Sequence, residues 1–266
     1  MNIGSIGIIG GQGFIGRALG RAFLDRQIVP PERLLIASRS ADCSGWPQGV
    51  HCTTDSSWLA SEADVVIVSV RPEQFPSLQV KVRDSCLLIS VMAGVPVVAL
   101  TQRTQAVRVV RAMPNAAASI GRSYTPFCAN AVVTAEERRF VRKLFEAVGS
   151  CGEVRSEDEL DYMTGLTGSG PAFVALLAEA MLTHGILRGL DSVLVYEAVL
   201  ATIEGAAEIV GRGSRSPSEV IDGLVAYRGT TAAAVQAMRQ HGFDSIVAGA
   251  LDAAERRART MYPDYV

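Results

Sequence analysis

Lysine and histidine are scarce in this sequence of 266 residues. Lys81 and Lys143 are the only lysines, so arginine supplies 23 of the 25 basic side chains. The three histidines, His51, His184 and His241, stand far apart and form no H-x-x-x-H pair, which gives a histidine metal site no support. The formal net charge of −2 gives no electrostatic reason to expect nucleic acid or an anionic membrane as a partner.

Cysteine pairs and long apolar runs are also missing. The cysteines are odd in number, scattered and never form C-x-x-C, a usage that predicts reduced, mostly buried thiols. They are Cys43, Cys52, Cys86, Cys128 and Cys151. No basic region precedes the first apolar run, so we expect no export signal. The apolar run from Pro171 is interrupted by Glu179 and His184 and predicts no membrane span. The sequence thus favours a cytoplasmic, soluble, metal-free protein.

Residues 1–155 alternate β-branched runs with helical patterns. The predicted strands are Ile3–Ile9, Leu34–Ala37, Gly49–Cys52, Val65–Val70, Leu87–Val91, Val107–Arg111 and Thr125–Cys128. Continuous apolar strands such as Val65–Val70 are typical of a parallel sheet that is covered on both faces. A clean amphipathic helix is predicted over Ala135–Val148, with Thr134 as its N-cap. We therefore expect an α/β fold with a Rossmann-like doubly wound sheet.

From residue 156 onward only helical patterns remain, rich in alanine, glycine and leucine. They cover Glu157–Thr164, Pro171–Arg188, Asp191–Gly211, Ser216–Leu224, Thr230–His241 and Asp244–Met261. Alanine and glycine permit close helix packing, and we expect that this half does not complete a core alone. We expect residues 156–266 to form an all-helical, dimer-forming domain after a nucleotide-binding domain at 1–155.

A glycine-rich turn follows the first strand. Gly11, Gly13 and Gly16 form G-x-G-x-x-G, and the segment Gly11-Gln12-Gly13-Phe14-Ile15 opens a helix. In that position, backbone N–H groups and the helix N-terminus hold a pyrophosphate. A tight turn without a ligand is the competing interpretation.

The end of the second strand distinguishes between dinucleotides. NAD sites place an acid about 20 residues on, to bind the ribose 2′-hydroxyl. This sequence has Ser38, Arg39 and Ser40 there, with no carboxylate before Asp42. Hydroxyls beside a guanidinium suit a 2′-phosphate, so NADP(H) is favoured over NAD(H).

Three further strand ends belong to the same predicted site. They are Val70-Arg71-Pro72, Ala93-Gly94 and Met113-Pro114-Asn115. In sheets of this kind ligands bind at the carboxyl ends of the strands, so we expect Val70, Arg71, Pro72, Ala93, Gly94 and Asn115 to contact the cofactor. Each could also be an ordinary strand-to-loop turn.

These segments, with Thr164–Ala172 and Gly229-Thr230-Thr231, stand in the order found in the pyrroline-5-carboxylate reductase family, which the sequence resembles over nearly its whole length. Gly168–Ala172 is the most specific of the shared motifs. The resemblance implies NAD(P)H-dependent reduction of a cyclic imine acid, classically 1-pyrroline-5-carboxylate to L-proline. It also implies a helical domain that interlocks with a second subunit, in a homodimer or a higher homo-oligomer. It further implies that the N–H groups of Gly229, Thr230 and Thr231 cradle the substrate carboxylate, and that the Thr231 hydroxyl contacts the imine nitrogen.

One loop departs from the family pattern. The family usually has Ser-Pro-Gly-Gly-Thr-Thr, where this chain has Ala226-Tyr227-Arg228-Gly229-Thr230-Thr231. The added cation requires a partner, either a second acidic group on a larger substrate or an acid of the protein such as Asp222. The identity of the imine is therefore open, and a related imine reductase or a non-catalytic NADP-binding protein are alternatives.

Two other dehydrogenase classes share the two-domain plan. A β-hydroxyacid dehydrogenase needs a lysine early in its helical domain, but no lysine follows Lys143. A prephenate-type dehydrogenase needs a histidine at a Rossmann strand end, and only His51, in the weak third strand, precedes His184. Both classes are disfavoured.

Overall fold

The structure is a computed structural model that describes residues 4–211 and 215–262. The chain divides into two compact units, one running to Ser169 and resuming at Asp252, the other Gly170–Leu251. The predicted boundary at residue 155 falls just before the helix Glu157–Met163, which packs on the sheet within the first unit.

The first unit is built on an eight-stranded sheet. Its strands are β1 Ile6–Ile9, β2 Leu34–Ala37, β3 His51–Thr53, β4 Val65–Val68, β5 Leu87–Ser90, β6 Arg108–Ala112, β7 Ser123–Ala129 and β8 Gly149–Glu153. Their spatial order is β3-β2-β1-β4-β5-β6-β7-β8, and β1 to β6 are parallel. The predicted Rossmann-like doubly wound sheet is confirmed.

Helices cover both faces of this sheet. They are α1 Phe14–Asp25, α2 Ser56–Glu62, α3 Val97–Thr104, α4 Ala135–Glu146 and α5 Glu157–Met163, with α10 Phe243–Thr260 returning to the unit at Asp252. Side chains of α1 and α4 form a core on one face, and those of α2 and α3 form a second core on the other. The strands β1, β2, β4 and β5 are buried throughout, which explains their continuous apolar runs.

The far edge of the sheet differs from the prediction. β7 runs antiparallel to β6 because residues 113–122 provide only a short 3₁₀ turn, Ala116–Ile120, and a parallel crossover needs a longer connection. β8 was not predicted, since Gly149–Glu153 lacks an apolar run and pairs along the edge with β7. The short helices α2 and α3 were also missed. The predicted strand from Ile3 begins at Ile6 in the structure, and Ile3 lies outside the described residues.

The predicted cap of α4 is confirmed. The Thr134 hydroxyl accepts a hydrogen bond from the Glu137 N–H, and the Glu137 carboxylate accepts one from the Thr134 N–H. This reciprocal pair satisfies two donors that a helix start leaves free.

The second unit is helical. Its helices are α6 Gly170–Leu187, α7 Ser192–Gly211, α8 Pro217–Val225, α9 Thr230–Gln240 and the start of α10. At Gly185 of α6 a Cβ would lie 2.6 Å from Cγ1 of Val195 in α7, so glycine permits this close approach. None of the side chains of α6 is buried within the chain.

One helical stretch contradicts an expectation from the sequence. Glu157–Leu187 is long and apolar enough to cross a membrane by length and composition, although we had expected no stretch to approach a span. Helices that are buried in protein pass the same test. The stretch by itself therefore assigns no membrane.

The expectation of five reduced cysteines was wrong for one pair. Cys43 and Cys52 form a disulfide, whereas Cys86, Cys128 and Cys151 are free. The spacing gave no warning because the partners meet only after the chain between β2 and β3 folds back on the edge strand. Burial raises the pKa of the Cys86 thiol to about 12 and that of Cys128 to about 11, so these two behave as packing residues.

Candidate functional site

The order of the strands reverses between β1 and β4, and the glycine-rich turn follows β1 at this point. The Gly10 N–H donates to the Ala37 carbonyl at 2.8 Å, and the Ser69 N–H donates to the Ile9 carbonyl at 2.8 Å. The ends of β1, β2 and β4 are thereby held together. A crevice at such a reversal is where open α/β sheets bind their ligands.

Each glycine of the turn has a steric reason. Gly10 has a φ of +82°, and a Cβ there would lie 2.5 Å from the Ser69 carbonyl oxygen. A Cβ on Gly16 would lie 2.6 Å from the Gly10 oxygen and 2.8 Å from Cα of Gly11. At Gly13 the contact would be looser, 3.1 Å from the Gly10 oxygen. Gly16 therefore permits the packing of the turn on α1, and Gly13 leaves space above the backbone.

The first turn of α1 is open to an anion. No side chain caps the helix, whose N-cap is Gly13, and Phe14 is 62% exposed. Free N–H groups and the positive end of the helix dipole favour a phosphate in this place. This open cradle fits a dinucleotide pyrophosphate, and Ile15 lies in the same turn.

Gln12 has a second role that the sequence did not suggest. Its Nε2 donates to the Asp42 carbonyl at 2.5 Å, and its Oε1 accepts a hydrogen bond from Arg17. The glycine-rich turn is thus tied to the loop that follows β2.

The three residues predicted to contact a 2′-phosphate start that loop. The Ser38 N–H donates to the Thr53 carbonyl at 3.1 Å, and the Ser38 hydroxyl donates to the Ser40 carbonyl at 2.5 Å. Arg39 is exposed and makes no ion pair or hydrogen bond within the described ranges 4–211 and 215–262. Its guanidinium is available to a ligand at the carboxyl end of β2.

The ends of β4 and β5 carry the next predicted residues. The Arg71 N–H donates to Gln74 Oε1 at 3.3 Å, and Pro72 begins a 3₁₀ turn, so Val70-Arg71-Pro72 forms a fixed corner. Gly94 has a φ of +71°, and a Cβ there would collide with the Ala258 carbonyl of α10. Ala93 and Gly94 thus form a tight turn on which the end of α10 packs.

Asn115, at the end of β6, is 9% exposed and fully engaged. Its Nδ2 donates to the Thr167 carbonyl at 2.8 Å, and its Oδ1 accepts from the Ala117 N–H at 2.9 Å. Thr167 lies in the π-helical turn Thr164–Gly168, which leads into the shared motif Gly168–Ala172. The amide therefore positions this turn against the sheet.

A buried ion cluster beside this turn was not predicted. Arg111 of β6 is 2% exposed and donates to Glu157 at 2.7 Å and to Asp161 at 2.9 Å. Burial raises the pKa of the Asp161 carboxyl, and Arg111 opposes that rise. The sequence contained one signal of this cluster. Arg111 stands in the otherwise apolar run Val109–Ala112 of β6, and a buried arginine requires a buried acid.

In the second unit, Gly229 is the N-cap of α9, and no side chain caps this helix. Thr230 and Thr231 form its first turn, so their N–H groups are free to bind a carboxylate. Arg228 has a φ of +56°, a left-handed conformation that favours glycine. The Tyr227 ring, 92% exposed, lies where a Cβ on Gly229 would come within 3.0 Å.

The candidate partner Asp222 does not pair with Arg228. The structure shows no ion pair for Arg228 with any residue in 4–211 or 215–262. In the same residues, no group of three His, Cys, Asp or Glu side chains is placed to hold a metal ion.

Comparisons with known proteins agree with the geometry. Residues 157–261 match the family model for pyrroline-5-carboxylate reductase dimerisation, and residues 5–94 match that for NADP oxidoreductase, coenzyme F420-dependent. The pyrroline-5-carboxylate reductase of Thermus thermophilus is 31% identical over 256 residues, covering 94% of this chain and 96% of that protein. That of Arabidopsis thaliana is 30% identical, covering 96% and 95%.

Solved structures show the same likeness. A pyrroline-5-carboxylate reductase from Coxiella burnetii has a TM-score of 0.89 at 28% identity, covering 99% of this chain and all of that one. The Plasmodium falciparum pyrroline carboxylate reductase with NADP bound has a TM-score of 0.86 at 26% identity, covering 98% of both chains. Since identity of 30% and above extends over nearly the full length, the chain belongs to the pyrroline-5-carboxylate reductase family.

Proposed function

We propose that this protein is an NAD(P)H-dependent reductase that converts 1-pyrroline-5-carboxylate to L-proline. The observation that carries the proposal is the pair of uncapped helix starts, one at the glycine-rich turn and one at Gly229-Thr230-Thr231. Each helix start suits an anion, and the reaction involves two anionic groups, the pyrophosphate of the cofactor and the carboxylate of the substrate.

The chemistry asks little of the side chains. The reduced nicotinamide supplies a hydride to the C=N carbon when it is bound, and that carbon accepts the hydride readily because the neighbouring nitrogen is protonated. The protein needs to hold the imine by its carboxylate and to hydrogen-bond its nitrogen. The N–H groups of Gly229, Thr230 and Thr231 serve the first task, and the Thr231 hydroxyl serves the second.

The cofactor assignment includes the adenosine end. Gly11, Gln12, Gly13, Phe14 and Ile15 hold the pyrophosphate, and Ser38, Arg39 and Ser40 hold a 2′-phosphate, which makes NADP(H) the preferred cofactor. The strand-end residues Val70, Arg71, Pro72, Ala93, Gly94 and Asn115 border the nicotinamide half. The unpaired Arg39 supports the preference.

The domain roles follow from the same assignment. Residues 1–155 bind the cofactor, and residues 156–266 bind the substrate and form a homodimer or a higher homo-oligomer. The exposed apolar side chains of α6 and the dimerisation match at 157–261 support self-association. A cytoplasmic location also belongs to this proposal: the free thiols Cys86 and Cys128 support it, and the disulfide Cys43–Cys52 counts against it.

The proposal is tested by NADPH oxidation with 1-pyrroline-5-carboxylate and by identification of the product as proline. Thr231→Ala should lower kcat/KM by ~10–1,000-fold, the scale of one hydrogen bond made in the transition state, with NADPH affinity unchanged. Thr231→Ser keeps the hydroxyl and should retain most of the activity. Thr101→Ala, an exposed threonine of α3, is the matched control. A folded Thr231→Ala protein with wild-type turnover contradicts the assigned role.

A related imine with a second acidic group is the alternative substrate, and the exposed Arg228, which makes no ion pair within residues 4–211 and 215–262, favours it. The double variant Tyr227→Pro with Arg228→Gly restores the Pro-Gly pair of the usual family loop. If Arg228 binds such a substrate, the variant should gain kcat/KM on 1-pyrroline-5-carboxylate relative to a dicarboxylic cyclic imine. If the variant only changes the melting temperature, the alternative is wrong. Binding of NADPH without turnover of any cyclic imine would instead indicate a non-catalytic NADP-binding protein.

A further inference from the structure

The disulfide Cys43–Cys52 lies beside the proposed adenosine site and has no part in the chemistry above. Cys52 lies in the edge strand β3, and Cys43 lies in the segment Ser38–Val50, which we call the ribose loop. Cys43 and Cys52 are each partly exposed, and Cys52 also packs against the core.

The ribose loop is attached to the glycine-rich turn and to the body of α1 by contacts that flank Cys43. The Asp42 carbonyl accepts from Gln12 at 2.5 Å, and the Gly45 carbonyl accepts from Arg21 at 2.9 Å. Trp46 packs over Gly20 of α1, where a Cβ would lie 2.6 Å from the indole ring.

When the disulfide is broken, the backbones of its two cysteines are held in place to very different degrees. Cys52 pairs with Ile36 in the sheet, so its backbone stays in place. Cys43 lies in the ribose loop, whose part before Trp46 is otherwise held by a few polar contacts, whereas Trp46 and Val50 are buried in the core. Breaking the bond therefore loosens the part of the loop before Trp46 and leaves the sheet intact.

We propose that Cys43–Cys52 is a reversible thiol–disulfide exchange site, and that its reduction loosens the ribose loop and weakens binding of the 2′-phosphorylated adenosine end of the cofactor. This inference rests on the proposed cofactor site. In the proposed cytoplasmic location disulfides are usually transient and redox-sensing, which fits a bond between two partly exposed residues, one of them in a binding loop.

The exchange balances with a dithiol as the reductant. One thiolate of the dithiol attacks a sulfur of the Cys43–Cys52 bond and expels the other sulfur, which takes up a proton. The second thiolate then attacks the mixed disulfide, releases the remaining cysteine thiol and closes the disulfide of the reductant. Two electrons and two protons pass from the dithiol to the protein.

The experiment compares the wild-type protein before and after treatment with dithiothreitol, using adenosine 2′,5′-bisphosphate as the probe in calorimetry. Reduction should raise the Kd of this probe about tenfold, because one or two side chains of the loop must then be ordered on binding. Adenosine 5′-monophosphate, which lacks the 2′-phosphate, should change less. Alkylation of the unfolded protein should label three cysteines before reduction and all five after it.

Variants separate this pair from the other thiols. Cys43→Ala with Cys52→Ala should bind the probe like the reduced wild type and ignore dithiothreitol, with a melting curve that shows it is folded. Cys151→Ala, which removes a half-buried free thiol, should respond like the wild type.

Two results would overturn the inference: five alkylated cysteines without reductant, or one Kd in both redox states. Its outcome is separable from that of the proposed reaction. A redox-dependent Kd in a protein that does not reduce 1-pyrroline-5-carboxylate would refute the reaction and keep the exchange site. Absence of probe binding in both states would refute the cofactor site and this inference together.

Discussion

Arg39 is the side chain on which the proposed choice of cofactor depends, because no neighbour among the described residues binds its guanidinium. Its position at the carboxyl end of β2 puts a charged donor beside the proposed ribose, and the backbone of Ser38 fixes that position through Thr53. A guanidinium gains most from a phosphate because the charge and the fork geometry match.

Arg39→Ala should raise the KM for NADPH by roughly ten- to hundredfold, the scale of a charge-assisted hydrogen bond, and the KM for NADH by much less. Steady-state kinetics with both cofactors measure this. Arg33→Ala removes an exposed arginine from the turn before β2 and should leave both constants unchanged. An equal rise for both cofactors, or a wild type that prefers NADH, contradicts the 2′-phosphate assignment.

At the scale of elements, the glycine-rich turn joins β1 to α1 through contacts that only glycine allows. The steric reasons differ in degree, since a Cβ on Gly16 would lie 2.6 Å from the Gly10 carbonyl oxygen and one on Gly13 would lie 3.1 Å from the same atom. Substitutions at the two positions should therefore distinguish an effect on folding from an effect on cofactor binding.

Gly16→Ala should lower both the melting temperature and NADPH affinity, because its Cβ meets backbone atoms of Gly10 and Gly11 that cannot move aside. Gly13→Ala should weaken NADPH binding with a much smaller change in melting temperature, as its contact at 3.1 Å is milder. Thermal unfolding and fluorescence titration with NADPH measure the two effects. Equal melting temperatures for the two variants would refute the steric argument.

The Arg111 cluster links β6 to α5, and thereby the end of the sheet to the start of the helical segment. Removing one member of a buried pair leaves the other charge uncompensated. Arg111→Met should lower the free energy of unfolding by ~3–5 kcal/mol at neutral pH, as measured by urea unfolding. Arg111→Met with Asp161→Leu should recover much of this loss.

The same variant predicts a pH dependence. Burial already raises the pKa of Asp161 above 3.8, and losing Arg111 removes the charge that opposes the rise. A carboxyl whose pKa is higher in the folded state binds more protons there, so its destabilisation grows as pH rises above 3.8. The stability gap between Arg111→Met and the wild type should therefore narrow as pH falls from 7 towards 4. A constant gap would show that lost packing, rather than the buried charge, causes the effect.

At the scale of the whole molecule, the helical unit exposes more apolar surface than a lone chain would keep. Leu176, Leu187, Val193 and Leu194 are each more than half exposed. Surfaces of this kind mark sites of association.

Leu177→Asp, in the middle of α6, should weaken self-association by at least about a hundredfold because it buries an unpaired charge in the interface. Analytical ultracentrifugation over a range of protein concentrations measures this. Val98→Asp changes a comparably exposed side chain of α3 in the first unit and should leave the association unchanged. A monomeric wild type would refute the proposed homo-oligomer.

The sequence by itself determined those features that depend on neighbours along the chain. Examples are the apolar runs of β1, β4 and β5, the capping box of α4 and the glycine-rich turn. Burial on both faces of a sheet and the start of a helix each require particular residue types within a short segment, so a local pattern predicts them. The order of motifs along the chain likewise indicated the family that the comparisons established.

Tertiary structure alone decided what depends on segments far apart in the chain. The Arg111–Asp161 pair joins residues 50 positions apart, and the bond from Asn115 to Thr167 spans 52. β8 has no apolar run because it needs only backbone pairing with β7. The Cys43–Cys52 bond forms because the ribose loop folds back on β3, and no spacing rule encodes that approach. Such hydrogen bonds and ion pairs form between groups that only the folded chain brings together. A short window of sequence contains one of the two partners, so it cannot predict the contact.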